Sequence, residues 1–106
     1  MQYSKKDILH LIKSRIKQKN PTAEVILFGS RARNQERAES DWDILILLDQ
    51  PEVSRKLQME YRHELNEIEL ETNESISTFV FSKDIWESKH KVTPFYQSIK
   101  EEGIYL

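Results

Sequence analysis

Asp41 and Asp43 stand two apart at the head of an apolar run, Ile44-Leu45-Ile46-Leu47-Leu48. Residues two apart on a strand project from one face. Two carboxylates that close repel each other unless a cation sits between them. Magnesium prefers hard oxygen ligands and keeps substrate phosphates in its shell. Upstream lies Gly29-Ser30, directly after a second apolar run, Val25-Ile26-Leu27-Phe28, with ten residues between Ser30 and Asp41. Glycine has no Cβ, so a phosphate can approach its backbone. A serine heading a helix offers unpaired N–H groups and a hydroxyl to an anion. Arg31 has the fork geometry that grips phosphate oxygens, and so does Arg33. The alternative for both arginines is pairing with Asp41, Asp43 or Glu39, or facing solvent. Each piece alone is ordinary, since Gly-Ser is commonly a turn and Asp-x-Asp is common on strand edges. Together they suit a magnesium-bound triphosphate.

The flanking elements must bring these residues together. Ser4-x-x-Asp7 reads as a capping box, and Ile8, Leu11, Ile12 and Ile16 recur at helical spacing. Asn20-Pro21 ends that helix, with a left-handed cap expected at the asparagine. Residues 24–28 read as a buried strand, 30–35 as a short helix capped by Ser30, and 41–48 as a second strand. Asp49-x-x-Glu52 with Pro51 signals the next helix start. Val53, Leu57, Tyr61, Leu65 and Ile68 give that helix its apolar stripe, and Thr72-Asn73 breaks it. Residues 75–81 are β-branched and aromatic and read as a third strand. Ser82 caps a short helix holding Ile85 and Trp86. Thr93-Pro94 opens a last helix with Phe95, Tyr96 and Ile99 inward, closed by Gly103. The order predicts an α/β (α+β) class: a mixed sheet of at least three strands flanked by helices.

Composition narrows the class of function. The 106 residues suit one domain spanning 1–106, and 38% hydrophobic with 32% charged content suits a soluble globule. No apolar run is long enough for a membrane span, and no signal-peptide core follows the N-terminus. The absence of cysteine excludes disulfides and thiolate metal sites and fits a cytoplasmic location. A net charge of −2 argues against a nucleic-acid footprint over the whole chain. His10, His63 and His90 have no ligand spacing. The acidic stretch Glu60–Glu74 is a solvated helix face or a surface for a protein partner, and the late aromatics from Phe95 onward are core or interface.

Gly-Ser-x10-Asp-x-Asp, in the form GSRARNQERAESDWDILILLD, resembles the signature of the minimal nucleotidyltransferase family, within the DNA polymerase β-like superfamily. The resemblance implies Gly29 and Ser30 at the triphosphate of an NTP, and Asp41 and Asp43 on Mg²⁺. It implies transfer of a nucleoside monophosphate, usually AMP from ATP, to a hydroxyl. Many small members resemble an antitoxin that pairs with a HEPN-type toxin, so the resemblance adds a possible protein partner and oligomer. One position departs from the pattern. The family usually carries a third carboxylate on the next strand, and here Ser77 stands in that place, with Glu71, Glu74 and Asp84 as substitutes nearby in sequence. Two readings follow: a magnesium-dependent nucleotidyltransferase, or a degenerate relative that binds nucleotide or partner without turnover.

Overall fold

In a computed structural model describing residues 3–106, helix α1 (Lys5–Lys19) starts as a closed capping box. The Ser4 hydroxyl accepts from Asp7 N–H at 3.1 Å, and Asp7 Oδ2 accepts from Ser4 N–H at 3.0 Å. Those two bonds hold the Asp7 carboxyl below its usual range. Asn20 ends α1 in an extended conformation, so the left-handed cap expected there is corrected. Its side chain instead accepts from Thr22, folding the chain directly into β1 (Glu24–Phe28).

β1 lies antiparallel to β2 (Trp42–Leu48), and β2 runs parallel to β3 (Ile76–Ser82). Helix α2 (Arg55–Thr72) makes the crossover that parallel strands require. Its start is corrected from Asp49-x-x-Glu52 to Ser54, whose hydroxyl accepts from Leu57 N–H. The earlier residues are tied to the sheet instead: Gln50 N–H donates to Leu48 O, and Gln50 O accepts from the Ser82 hydroxyl at 2.6 Å. Asn73 ends α2 with φ +60°, in the left-handed region. Helices α3 (Lys83–Ser88) and α4 (Pro94–Glu102) follow, capped by Ser82 and Thr93 as the sequence predicts. A two-residue strand, β4 (Ile104–Tyr105), then pairs with the free side of β1, giving the order β3-β2-β1-β4. Two residues give too short a pattern for β4 to be legible. Gly103 precedes it in an extended conformation, where a Cβ would press on Ile99 O and Ile26 Cγ2.

The helices form two layers. Trp42, Ile44, Ile46 and Leu48 pack with α1 and α2, while Leu45 and Leu47 pack with Trp86, Tyr96 and Ile99 of α3 and α4. A strand covered on both faces needs a continuous apolar run, which is how β2 reads. β2 starts at Trp42 and not at 41 as expected; alternation puts Asp43 on the face of Leu45 and Leu47, opposite Trp42, and Asp41, one residue before the strand, accepts from the Ser77 hydroxyl. The four-stranded mixed sheet flanked by helices is the α+β class that the sequence predicts. Among the described residues no helix is long and apolar enough to cross a membrane.

Candidate active site

Phe28 pairs with Asp43 across the β1–β2 ladder, so the end of β1 and the start of β2 meet at one place. Gly29 leaves β1 with φ +76°, a backbone that side chains rarely adopt. A Cβ on Gly29 would overlap the Asp43 carboxylate, so this glycine is required both by its turn and by its neighbour. The short helix expected over 30–35 is corrected to a single turn. Gly29 O accepts from Ala32 and Arg33 N–H, and Gln35 N–H reaches back to Ser30 O. Asn34 ends the turn at φ +57°. Ser30 and Arg31 N–H make no backbone hydrogen bond among the described residues, so they remain donors at the turn's mouth.

Asp41 is exposed and Asp43 is partly buried. Burial, then the Asp41 charge, push the Asp43 carboxyl above its usual range, against a smaller pull from Arg33. On the other side, β3 places Ser77 directly opposite Asp43 in parallel register. The Ser77 hydroxyl donates to Asp41 Oδ2 at 3.3 Å. Serine therefore stands beside both aspartates, on their face of the sheet.

The two arginines separate. Arg31 is buried; its guanidinium donates to Ser40 O at 2.7 and 3.1 Å and lies 4.0 Å from the Trp42 ring centroid. It holds the 30–40 loop closed and stacks on the opposite face from the aspartates. Sequence reading missed this role, because nothing local says that the loop carbonyls converge on one guanidinium. Arg33 is exposed, pairs with Glu102 at 3.0 Å, and is the arginine whose charge reaches Asp43.

Glu74, Asp84 and Glu71 lie in other surroundings. Glu74 accepts from Trp42 Nε1 at 2.9 Å and lies 3.7 Å from Arg31 Nη2, on the Trp42 side. Asp84 follows the far end of β3, roughly 20 Å along the strand from Ser77. Glu71 is exposed in the last turn of α2. Among the described residues no group of three or more His, Cys, Asp or Glu could hold a metal ion. Phe28, Phe79 and Phe95 form an aromatic cluster on the aspartate face, with centroids 5.3–5.9 Å apart. Trp86 and Tyr96 are core, whereas Tyr105 is 61% exposed.

Residues 9–106 match the family model of the nucleotidyltransferase domain. The chain belongs to the nucleotidyltransferase family. No curated protein matches it. Among solved structures, a toxin–antitoxin with AMP-PNP is similar, with TM-score 0.66 and 16% identity over 91% of this chain and 69% of that one. Two mutant MntA–HpeT toxin–antitoxin structures each give TM-score 0.60, at 14% and 19% identity. They cover 97% and 99% of this chain and 72% of theirs. At such identities the likeness is one of fold.

Two tests of this candidate site concern its backbone. Gly29→Ala is expected to cost about 2 kcal/mol or more, from the left-handed φ and the displaced Asp43, measured by urea melts. Stability equal to that of the native chain would mean that Asp43 does not lie on Gly29. Arg31→Met should leave the sheet intact while amide exchange across 32–40 accelerates; unchanged protection there would contradict the stapling role.

Proposed function

We propose that this nucleotidyltransferase is Mg²⁺-dependent and moves AMP from ATP to a hydroxyl on a protein partner of the HEPN-toxin type. The carrying observation is the pair Asp41 and Asp43, on one face beside the Gly29 turn. The donor set fits magnesium: two hard carboxylates meet there, and Asp43 carries a charge that burial and Asp41 both disfavour. Asp41 and Asp43 would hold the ion, and bound Mg²⁺ neutralises charge on the phosphates. The AMP-PNP in one structural relative and the toxin–antitoxin assembly of all three support the nucleotide and the partner.

The chain's own residues account for the remaining steps. Ser30 and Arg31 N–H, with the Ser30 hydroxyl, are donors for the triphosphate oxygens. Arg33 adds positive charge near Asp43. The acceptor hydroxyl oxygen bonds to the α-phosphorus, the bond to pyrophosphate breaks, and the hydroxyl proton passes to a carboxylate or water. Holding both reactants converts this to a step within one complex.

The Ser77–Asp41 hydrogen bond favours the second reading, binding without turnover, because serine supplies no charge where the family carries a carboxylate. Calorimetry of ATP with and without Mg²⁺ tests the site; equal affinities would count against it. Co-expression with the neighbouring gene product, followed by mass spectrometry, separates the two readings. An AMP increment on the partner that disappears with Asp43→Asn supports transfer. A bound but unmodified partner supports the second reading.

A further inference from the structure

β3 is an outer strand, so one of its edges meets no other strand. Trp42 N–H donates to Ser75 O, which fixes the parallel ladder. In such a ladder alternate residues direct both backbone groups to the same side. Ser77 and Phe79 therefore bond to β2, while Ile76, Thr78 and Val80 direct theirs outward. Helix α2 covers the two ends of that outer edge. Glu69 Oε2 accepts from Ile76 N–H at 2.7 Å, and Gln58 Nε2 donates to Val80 O at 3.2 Å. Between those bonds, Thr78 N–H and C=O have no side-chain partner among the described residues. Gln58, Arg62, Asn66 and Glu69 recur at helical spacing as one stripe of α2. The outer two bond to the edge. The middle two, Arg62 and Asn66, form no ion pair or side-chain hydrogen bond among the described residues.

A groove of about 470 Å³ lies there, between Met59, Arg62, His63 and Asn66 of α2 and residues 76–79 of β3. Met59 and Phe79 are 53% and 38% exposed, so it also presents apolar surface. Ser77 lines this groove, and its hydroxyl touches Asp41. Ser77 is therefore the one residue that belongs both to the lining of this groove and to the surroundings of Asp41.

We propose that this groove is the docking site of the protein acceptor, which adds a short extended segment beside Thr78 and carries an acidic residue to Arg62. The docking follows from the edge itself; that the docked chain is the acceptor rests on the transferase reading. Unpaired backbone donors and acceptors select an extended polypeptide. The unpaired guanidinium of Arg62 selects a carboxylate. Met59 and Phe79 select an apolar side chain next to it. Gln58 and Glu69 close the edge at both ends and hold the added strand to a few residues. A nucleic acid meets little positive charge here, since Arg62 is the one lysine or arginine among the lining residues.

The probe is a set of short capped peptides that alternate valine and glutamate around a central serine, threonine or tyrosine. Nuclear magnetic resonance of the full chain without nucleotide reads the binding. Peptide is expected to slow exchange of the Thr78 and Val80 amides, and Arg62→Glu to weaken binding by about tenfold or more. Thr78→Pro removes the outward N–H at a position where an edge strand tolerates proline, and should weaken binding similarly. An unchanged melting temperature and ATP affinity confirm that this variant is folded, and Arg62→Glu carries the test if it is not. Shifts confined to another surface, or native affinity in Arg62→Glu, overturn the proposal. So does an oligoadenylate that occupies these amides where no peptide does. Peptide that docks but gains no AMP in the presence of Mg²⁺ and ATP overturns the transferase reading and leaves the docking site standing. Peptide adenylylation at an unchanged rate in Arg62→Glu overturns the docking site alone.

Discussion

Asp41→Asn combined with Asp43→Asn is expected to reduce Mg²⁺-dependent ATP affinity by more than about a hundredfold, beyond the loss typical for outer-shell partners of a metal. The Asp43→Asn change alone should make the metal-free protein more stable at neutral pH. The folded Asp43 carboxyl is raised above its ordinary value by burial and by Asp41. The folded chain therefore keeps this proton to a higher pH than the unfolded chain does. Stability is greatest below the unfolded pKa and falls as pH rises toward the raised folded value; above that value it stays lower. Asparagine cannot ionise, so that loss disappears in the variant. Thermal melts in EDTA from acid to neutral pH check the sign: the two curves should converge in acid, with the variant higher at neutral pH. A variant less stable than the native chain at neutral pH without metal would show that Asp43 is not an unfavourable charge. Added Mg²⁺ should raise the melting temperature of the native chain and leave the double variant unmoved.

That trade between stability and binding has a counterpart in what the sequence makes legible. Asp43 reaches its face because strand alternation is a strict two-residue period, and Asp41, one residue before β2, meets the Ser77 hydroxyl on that face. Ser77 follows by the same rule once β2 and β3 pair in parallel, since the register places it opposite Asp43. Side chains acting across long sequence separations were not legible. Arg31 reads as a phosphate ligand by its position next to Gly29-Ser30, yet its guanidinium lies with the Ser40 carbonyl and the Trp42 ring. Glu74 reads as a spare carboxylate, but the buried Trp42 needs an acceptor for its indole N–H and takes it. The helix start at Asp49 fails for a similar reason: Ser82 bonds to Gln50 O from the far end of β3. Local signals name the residues that can cap, as at Ser4, Ser82 and Thr93. Tertiary hydrogen bonds decide which of them do.

Ser77→Asp is the complementary change, and it should convert the site from two carboxylates to three. The Ser77 hydroxyl lies 3.3 Å from Asp41 Oδ2, and Ser77 pairs with Asp43 in register. A carboxylate there adds a third negative charge to a pair already unfavourable without a cation. In EDTA the variant should melt lower than the native chain at neutral pH, and acid should narrow the gap as the cluster takes up protons. Mg²⁺ should reverse the order by stabilising the variant more than the native chain. Adenylylation of the true acceptor should rise by about tenfold or more, because added negative charge permits a second metal to share charge neutralisation. Glu74→Gln should leave native transfer within about threefold in a folded chain, since Glu74 faces Trp42 and Arg31, a placement whose loss is felt as stability. Transfer abolished by Glu74→Gln, Glu71→Gln or Asp84→Asn in a folded protein would mean that another acid moves into the place Ser77 occupies. Ser77→Asp with native melting behaviour in both EDTA and Mg²⁺ would mean that the third position is not electrostatically part of the site, and the metal assignment at Asp41 and Asp43 would lose its strongest structural consequence.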